Sequence, residues 1–297
     1  MIKFKAIIFG IVVILLTATV TYVVFYFRED DTSIDWRKEL SYEENQIHDI
    51  SFEASSPCPV IPVKINDKEV KLLFDTGNGM GFLMTTALQD QIDYDVIGTT
   101  TELNADGTYR GEGSSVLLKS INVFGEQYHD VKSSLNDWRM FSSSKFNGTI
   151  GLTYFSHKVI TLDYKNKKIA VCSEPIDYST LRQENYIVLP LIKSELSHEQ
   201  DLLFFEGEVN GEKSTIYLDT GASRSFYDID NAGTGIELKL GNVTYHFDCD
   251  KLIHDEIGFE DDFSYPLTFA INSDLLKANH FVIIIDKIQN NLIIRRN

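Results

Sequence analysis

The triplet Asp-Thr-Gly occurs twice in this chain, as Asp75-Thr76-Gly77 and Asp219-Thr220-Gly221. Each copy ends a short apolar run, Leu72-Leu73-Phe74 in the first case and Ile216-Tyr217-Leu218 in the second. A single triplet of this kind is an ordinary polar turn. A matched pair on two equivalent strand-to-loop turns is a stronger constraint, because a pseudo-twofold axis can bring the two carboxylates face to face. Like charges about 3 Å apart cannot both ionise, so such a pair holds one proton between them.

The match extends beyond the triplets. Asn66 precedes Asp75 by nine residues, and Asn210 precedes Asp219 by nine, so one offset of 144 relates both landmarks. Asn66-Asp67 and Asn210-Gly211 each sit between two strand-like runs and supply the positive φ of a tight hairpin. Downstream, Val159-Ile160-Thr161-Leu162-Asp163 matches Val282-Ile283-Ile284-Ile285-Asp286 at an offset of 123. Each is followed by a further apolar run, Ile169-Ala170-Val171 and Leu292-Ile293-Ile294, at that same offset. Landmarks in two consistent registers indicate an internal duplication. The chain reads as two copies of one lobe.

Short runs rich in Ile, Val, Phe and Tyr, bounded by Gly, Asn and Asp, predict an all-β architecture. With 297 residues the chain can bury two cores of ordinary size. The net charge of −17, without a Lys/Arg-rich stretch beyond the terminal Arg295-Arg296, argues against a nucleic-acid partner. The seven His residues show no metal-ligand spacing, and the three cysteines form no CxxC. Cys58 opens the first lobe and Cys172 ends its last strand; the two either close a disulfide or stay free, and Cys249 is left over.

Residues 6–27 are 22 consecutive residues without a charge, long enough for one transmembrane helix. Lys3 and Lys5 precede the run while Glu29, Asp30 and Asp31 follow Arg28, so the amino end is expected in the cytoplasm and the remainder outside it. A cleaved signal peptide, cut near Thr17-Ala18-Thr19, is the competing reading; its apolar region is normally shorter than this one. The expected organisation is a cytoplasmic tip and anchor at 1–28, a juxtamembrane stalk or pro-segment at 29–56, a first lobe at 57–172, a linker at 173–186 and a second lobe at 187–297.

From about residue 60 to the end, the chain resembles the aspartic peptidases, in which a D-T-G turn from each of two related lobes meets at a cleft. The arrangement is similar to the pepsin-like, single-chain form, with lobes close to retropepsin size. Phe146-Asn147-Gly148-Thr149-Ile150-Gly151-Leu152 is similar to the family's apolar-apolar-Gly segment, which passes behind the catalytic turn. The resemblance implies a bilobal acid-protease fold and a peptide hydrolase without metal or organic cofactor, acting on a protein or peptide substrate as a monomeric catalytic unit. It implies Asp75 and Asp219 as the catalytic dyad, one as general base on a shared water and the other as acid. Thr76 and Thr220 would tie the turns together, and Gly77 and Gly221 would let backbone N–H groups approach the carboxylates.

The chain departs from the family pattern at two points. Asn78 follows the first triplet where Ser or Thr is usual, and its amide is expected to reach a carboxylate oxygen. Ser223 stands after the second, preceded by Ala222, as the pattern expects. The second lobe has Ala270-Ile271-Asn272 in place of apolar-apolar-Gly, with Asn272 expected to adopt a left-handed conformation. From Asp75 to Asp163 is 88 residues but from Asp219 to Asp286 only 67, so the first lobe carries something extra. Residues 104–113, with an Asp-Gly turn and further glycines, are the candidate flap, with Tyr109 near its tip. The competing function on the same fold is a catalytically silent module that grips an extended peptide or envelope protein. A structural protein without a cleft function is a third reading.

Overall fold

The computed structural model describes residues 35–103, 109–137, 146–182, 184–193, 201–230, 232–255, 257–259 and 263–295. Among them the architecture is all-β, with strands gathered into three sheets. In the first sheet Val60–Ile65 and Lys68–Phe74 form a hairpin. Asn66 and Asp67, with φ of 46° and 67°, make its turn. Leu203–Val209 and Glu212–Asp219 repeat this hairpin in the second sheet, turning on Asn210 at 51° and Gly211 at 85°. Two successive positive φ angles give the twist that right-handed strands require. Each turn asparagine is also bonded to a neighbouring strand: Asn66 Oδ1 accepts from Ser120 N at 3.0 Å, and Asn210 Oδ1 from Glu237 N at 2.8 Å.

Both triplets lie at the ends of these second hairpin strands, each flanked by a parallel strand. Leu73 and Phe74 pair with Thr149 and Ile150. Leu218 and Asp219 pair with Ile271 and Asn272. The segment containing Ile150 therefore passes behind the first turn, where the Ile150 carbonyl accepts from Asp75 N at 3.0 Å.

The third sheet joins the two repeats. Its order is Ile47–Asp49, Lys168–Cys172, Val159–Asp163, Val282–Asp286, Asn291–Arg295 and Tyr186–Pro190. Val159–Asp163 and Val282–Asp286 are antiparallel, with Thr161 opposite Ile284 and Asp163 opposite Val282. That register places the offset of 123 on a local twofold axis. Every residue of both strands is buried, which is why they read as continuous apolar runs without alternation. Fully burying Ile283, Ile284 and Ile285 contributes about 1.5–3 kcal/mol each. The closing Asp of each strand caps its own hairpin turn: Asp163 Oδ1 accepts from Asn166 N, and Asp286 Oδ1 from Ile288 N and Gln289 N.

The long hairpin Asp95–Leu103 with Tyr109–Val123 belongs to the first repeat; the end of its second strand matches Gly235–Leu240, but Asp95–Leu103 has no counterpart among the described residues of the second repeat. It accounts for the extra length. The expected flap turn at 104–108 lies outside the described residues, as does the expected anchor. Among the described residues no helix is long and apolar enough to cross a membrane.

One local reading changes, and one that the sequence left open is decided. Within the expected stalk, Ile47–Asp49 is a strand paired with Lys168–Ala170, because Ile47 can cover the edge beside Ala170. Residues 36–39 form a single helical turn, capped by the Asp35 carboxylate on Arg37 N. No disulfide forms: Cys58, Cys172 and Cys249 are all free. Cys58 is turned toward the second triplet and Cys172 toward the Glu174 carbonyl.

Candidate active site

The two turns are locked together by a reciprocal set of hydrogen bonds. Thr76 N donates to Thr220 Oγ1 at 3.1 Å, and Thr220 N donates to Thr76 Oγ1 at 3.0 Å. The hydroxyls then donate across the same axis, Thr76 to the Leu218 carbonyl at 3.0 Å and Thr220 to the Phe74 carbonyl at 2.7 Å. Both threonines are buried. Only a hydroxyl can accept and donate at once here, so the residue type follows from the geometry.

The glycines bring the carboxylates within reach of the opposite turn. A Cβ on Gly77 would lie 2.6 Å from Asp219 Cγ, and one on Gly221 would strike the Asp75 carboxylate. Each bare Cα thus packs directly on the other repeat's aspartate. The two carboxyls are close enough for each to influence the other's protonation. Asp75 Oδ1 accepts from Gly77 N at 2.9 Å; Asp219 Oδ1 accepts from Gly221 N at 2.7 Å and from Ala222 N at 3.2 Å.

That difference in donors separates the two acids. Burial, then the neighbouring Asp219 carboxylate, holds the Asp75 carboxyl well above the ordinary range. Burial also raises Asp219, but the N–H groups of Gly221 and Ala222 oppose it by stabilising the charged form. More N–H groups thus face the Asp219 carboxylate than the Asp75 one, and the pair titrates as a unit that keeps a proton between its members. Asp75 also feels the Arg110 guanidinium, which puts the start of the strand Tyr109–Val123 within electrostatic reach of the pair. Tyr109 itself is 64% exposed and stands opposite Leu103 at the first described position after the turn.

Three expectations about supporting residues are corrected. Asn78 does not touch a carboxylate: its Nδ2 donates to Thr149 Oγ1 at 2.8 Å and its Oδ1 accepts from Met80 N at 3.0 Å. The cause is the turn itself, in which Asn78 N bonds the Asp75 main-chain carbonyl and the side chain points toward the strand behind. Ser223 is exposed and, among the described residues, makes no hydrogen bond to either carboxylate; the main chain of Ala222 serves Asp219 instead. Asn272 is extended at φ −118°, not left-handed. Its counterpart Gly151 is extended too, at φ −94°, and is small because a Cβ there would run into the Asn78 carbonyl. Asn272 fits because Ser225 Oγ accepts its N–H at 2.9 Å and the Arg224 carbonyl accepts from its Nδ2 at 2.6 Å.

Other residues at the site carry no motif. Ser273 Oγ donates to the Thr220 carbonyl at 2.7 Å and contacts Tyr164 Oη at 3.0 Å. Cys58 Sγ donates to the Gly221 carbonyl at 3.3 Å, tying the first repeat to the second turn. Ser225 is held by Asp274, Oγ to Oδ1 at 2.6 Å. Of the residues missed, Tyr217 had the clearest sequence signal. It lies two positions before Asp219 on one strand and therefore shares its face.

A cavity of about 220 Å³, lined by His48, Phe124, Tyr128, Lys158 and Cys172, shares no residue with this pair. Its lysine is already ion-paired with Glu126. Among the described residues no cluster of three or more His, Cys, Asp or Glu side chains is placed to hold a metal ion. No protein-family model matches the chain, and no curated protein matches it.

Proposed function

We propose that this chain is a single-chain, bilobal aspartic endopeptidase with the acid-protease fold, anchored in a membrane by residues 6–27 and acting on an extended peptide outside the cytoplasm. The observation that carries this reading is the reciprocal Thr76–Thr220 lock, with each glycine packed on the opposite aspartate. A solvated turn has no use for such a lock. It holds two mutually repelling carboxyls together in a partly accessible place, an arrangement that costs stability unless a reaction uses it.

In the proposed cycle a water lies between the two carboxyls. Asp219 takes a proton from it as its oxygen attacks the peptide carbonyl carbon, and Asp75 gives its proton to the carbonyl oxygen. The product is a neutral tetrahedral diol. Asp219 then passes its proton to the amide nitrogen, Asp75 recovers one from a diol hydroxyl, and the C–N bond breaks to leave acid and amine. The hairpin bearing Tyr109 and Arg110 covers the cleft and excludes water from the bound peptide.

The test is incubation of the full chain, in detergent, with a mixed peptide library at acidic and neutral pH, with products read by mass spectrometry. Asp75→Asn and Asp219→Asn are each expected to abolish cleavage, and the double variant to be no worse, because the two act as one unit. Tight peptide binding without cleavage would establish the silent binding module instead. If Asp219→Asn keeps near-normal turnover, the dyad mechanism fails.

A further inference from the structure

The ring of Tyr217 is clamped on two sides, by Phe204 at 5.2 Å and by Phe259 at 4.8 Å between ring centroids. The residue is 5% exposed, yet its hydroxyl has no hydrogen-bond partner among the described residues. The ring is buried but the hydroxyl oxygen is not sealed among apolar groups, so it stands as a donor left open toward the site. The hydroxyl is aimed at the dyad. It lies 2.7 Å from the point where a Gly77 Cβ would stand, and that same point is 2.6 Å from Asp219 Cγ and Oδ2.

This feature breaks the twofold symmetry of the site. At the offset of 144 that relates the turns, the residue matching Tyr217 is Leu73. Cys58, Val60 and Leu73 on one side correspond to Leu202, Phe204 and Tyr217 on the other, and these form two small apolar clusters of like construction. Only the second places a hydroxyl beside the opposite glycine; the Cys58 thiol of the first is taken up by the Gly221 carbonyl. An apolar side chain would fill the Tyr217 position but place no donor beside the opposite turn.

We propose that Tyr217 is a third proton-bearing group of the active site, whose hydroxyl donates a hydrogen bond to an oxygen on the reacting carbon of the bound peptide. The proposal rests on the peptidase reading. The hydroxyl keeps its proton throughout and transfers nothing; burial and the two nearby carboxylates push its pKa well above the ordinary value, so it serves as a donor only. The aromatic clamp fixes it before substrate arrives, which is the condition under which a donor stabilises a transition state more than a ground state.

The experiment compares the full chain with Tyr217→Phe, which keeps the ring and its packing, on the best-cleaved peptide of the library. Losing one preorganised donor is expected to lower kcat by about 10²-fold with KM within about twofold. Affinity for the same peptide carrying a tetrahedral hydroxyl isostere at the scissile position is expected to fall by a similar factor. The melting temperature of Tyr217→Phe should be no lower than that of the unaltered chain, because no intramolecular bond is removed. Turnover within about threefold, a change in KM alone, or a variant that unfolds would each overturn the proposal. If the unaltered chain cleaves no peptide, or Asp75→Asn still cleaves, the peptidase reading itself fails and takes this one with it. Cleavage that dies with Asp75→Asn but survives Tyr217→Phe intact removes only the tyrosine's role.

Discussion

The Thr76 side chain bridges two main-chain groups of the other repeat, accepting from Thr220 N at 3.0 Å and donating to the Leu218 carbonyl at 3.0 Å. One hydroxyl thus joins the ends of two strands that are 144 residues apart in sequence. Thr76→Ala would leave both partners buried and unbonded, at about 1–3 kcal/mol for each. The expected result is a clear fall in the denaturant midpoint, together with loss of cleavage. Thr76→Ser keeps the hydroxyl and should recover most of both. If the alanine variant unfolds at an unchanged midpoint, the lock contributes no stability.

Gly221 offers a sharper steric test. A methyl group there meets the Asp75 carboxylate, the end of a short side chain that the Gly77 N–H holds in place. Gly221→Ala should separate the turns and cost about 1–3 kcal/mol or more through overpacking. Gly211→Ala is the control for this geometry, since nothing surrounds its missing Cβ; only its φ of 85° disfavours the change. Cleavage should vanish in the first variant and persist in the second. Equal activity in both would mean that the carboxylates do not need their close approach.

The dyad also makes a prediction about pH. Asp75 is held well above the ordinary carboxylate value, and Asp219 is raised as well. Between the unfolded value of about 3.9 and the folded one, the native chain keeps a proton that the unfolded chain has released. Stability from this source is therefore complete below the unfolded pKa and is lost as pH rises through the folded pKa. Asp75→Asn lacks that loss. Its melting temperature relative to the unaltered chain should climb as pH rises through this window and then level off. A difference independent of pH would place the carboxyl in an ordinary solvated environment.

Thiol chemistry separates the cysteines. Cys58 is 2% exposed, and burial pushes its thiol up to about 12, whereas Cys172 and Cys249 are only partly covered. The thiolate is the reactive form. With a chromogenic disulfide reagent at pH 8, Cys58 should remain silent in the native chain and react on unfolding, with mass spectrometry identifying the modified residue. Rapid modification of Cys58 would show that the contact between the first repeat and the second turn opens readily.

The anchor has a direct test. Lys3 and Lys5 should hold the amino end in the cytoplasm, so a reporter fused after Asn297 should be active outside it. The mass of the mature chain should still include residues 1–27. A product shortened near Ala18 would establish secretion instead.

Much of this protein was legible in one dimension because duplication writes the same local chemistry twice. The hairpins at Asn66 and Asn210, the capping aspartates Asp163 and Asp286, and the two triplets are local features, each dictated by backbone conformation within a few residues. Repetition at fixed offsets then announced the symmetry, and the unequal spacing announced the hairpin of the first repeat. The sequence could not say what lies across the axis. Asn78 turns to Thr149 and not to a carboxylate, Cys58 reaches Gly221 and not Cys172, and Tyr217 comes to rest beside Gly77. These are contacts between residues distant along the chain, chosen by side-chain direction and available space. The donors to the aspartates differ more locally: both have identical neighbours in the triplet, and only the conformation of the second turn gives Asp219 the additional N–H of Ala222. Tertiary structure decided the asymmetry of a site whose symmetry was already written in the sequence.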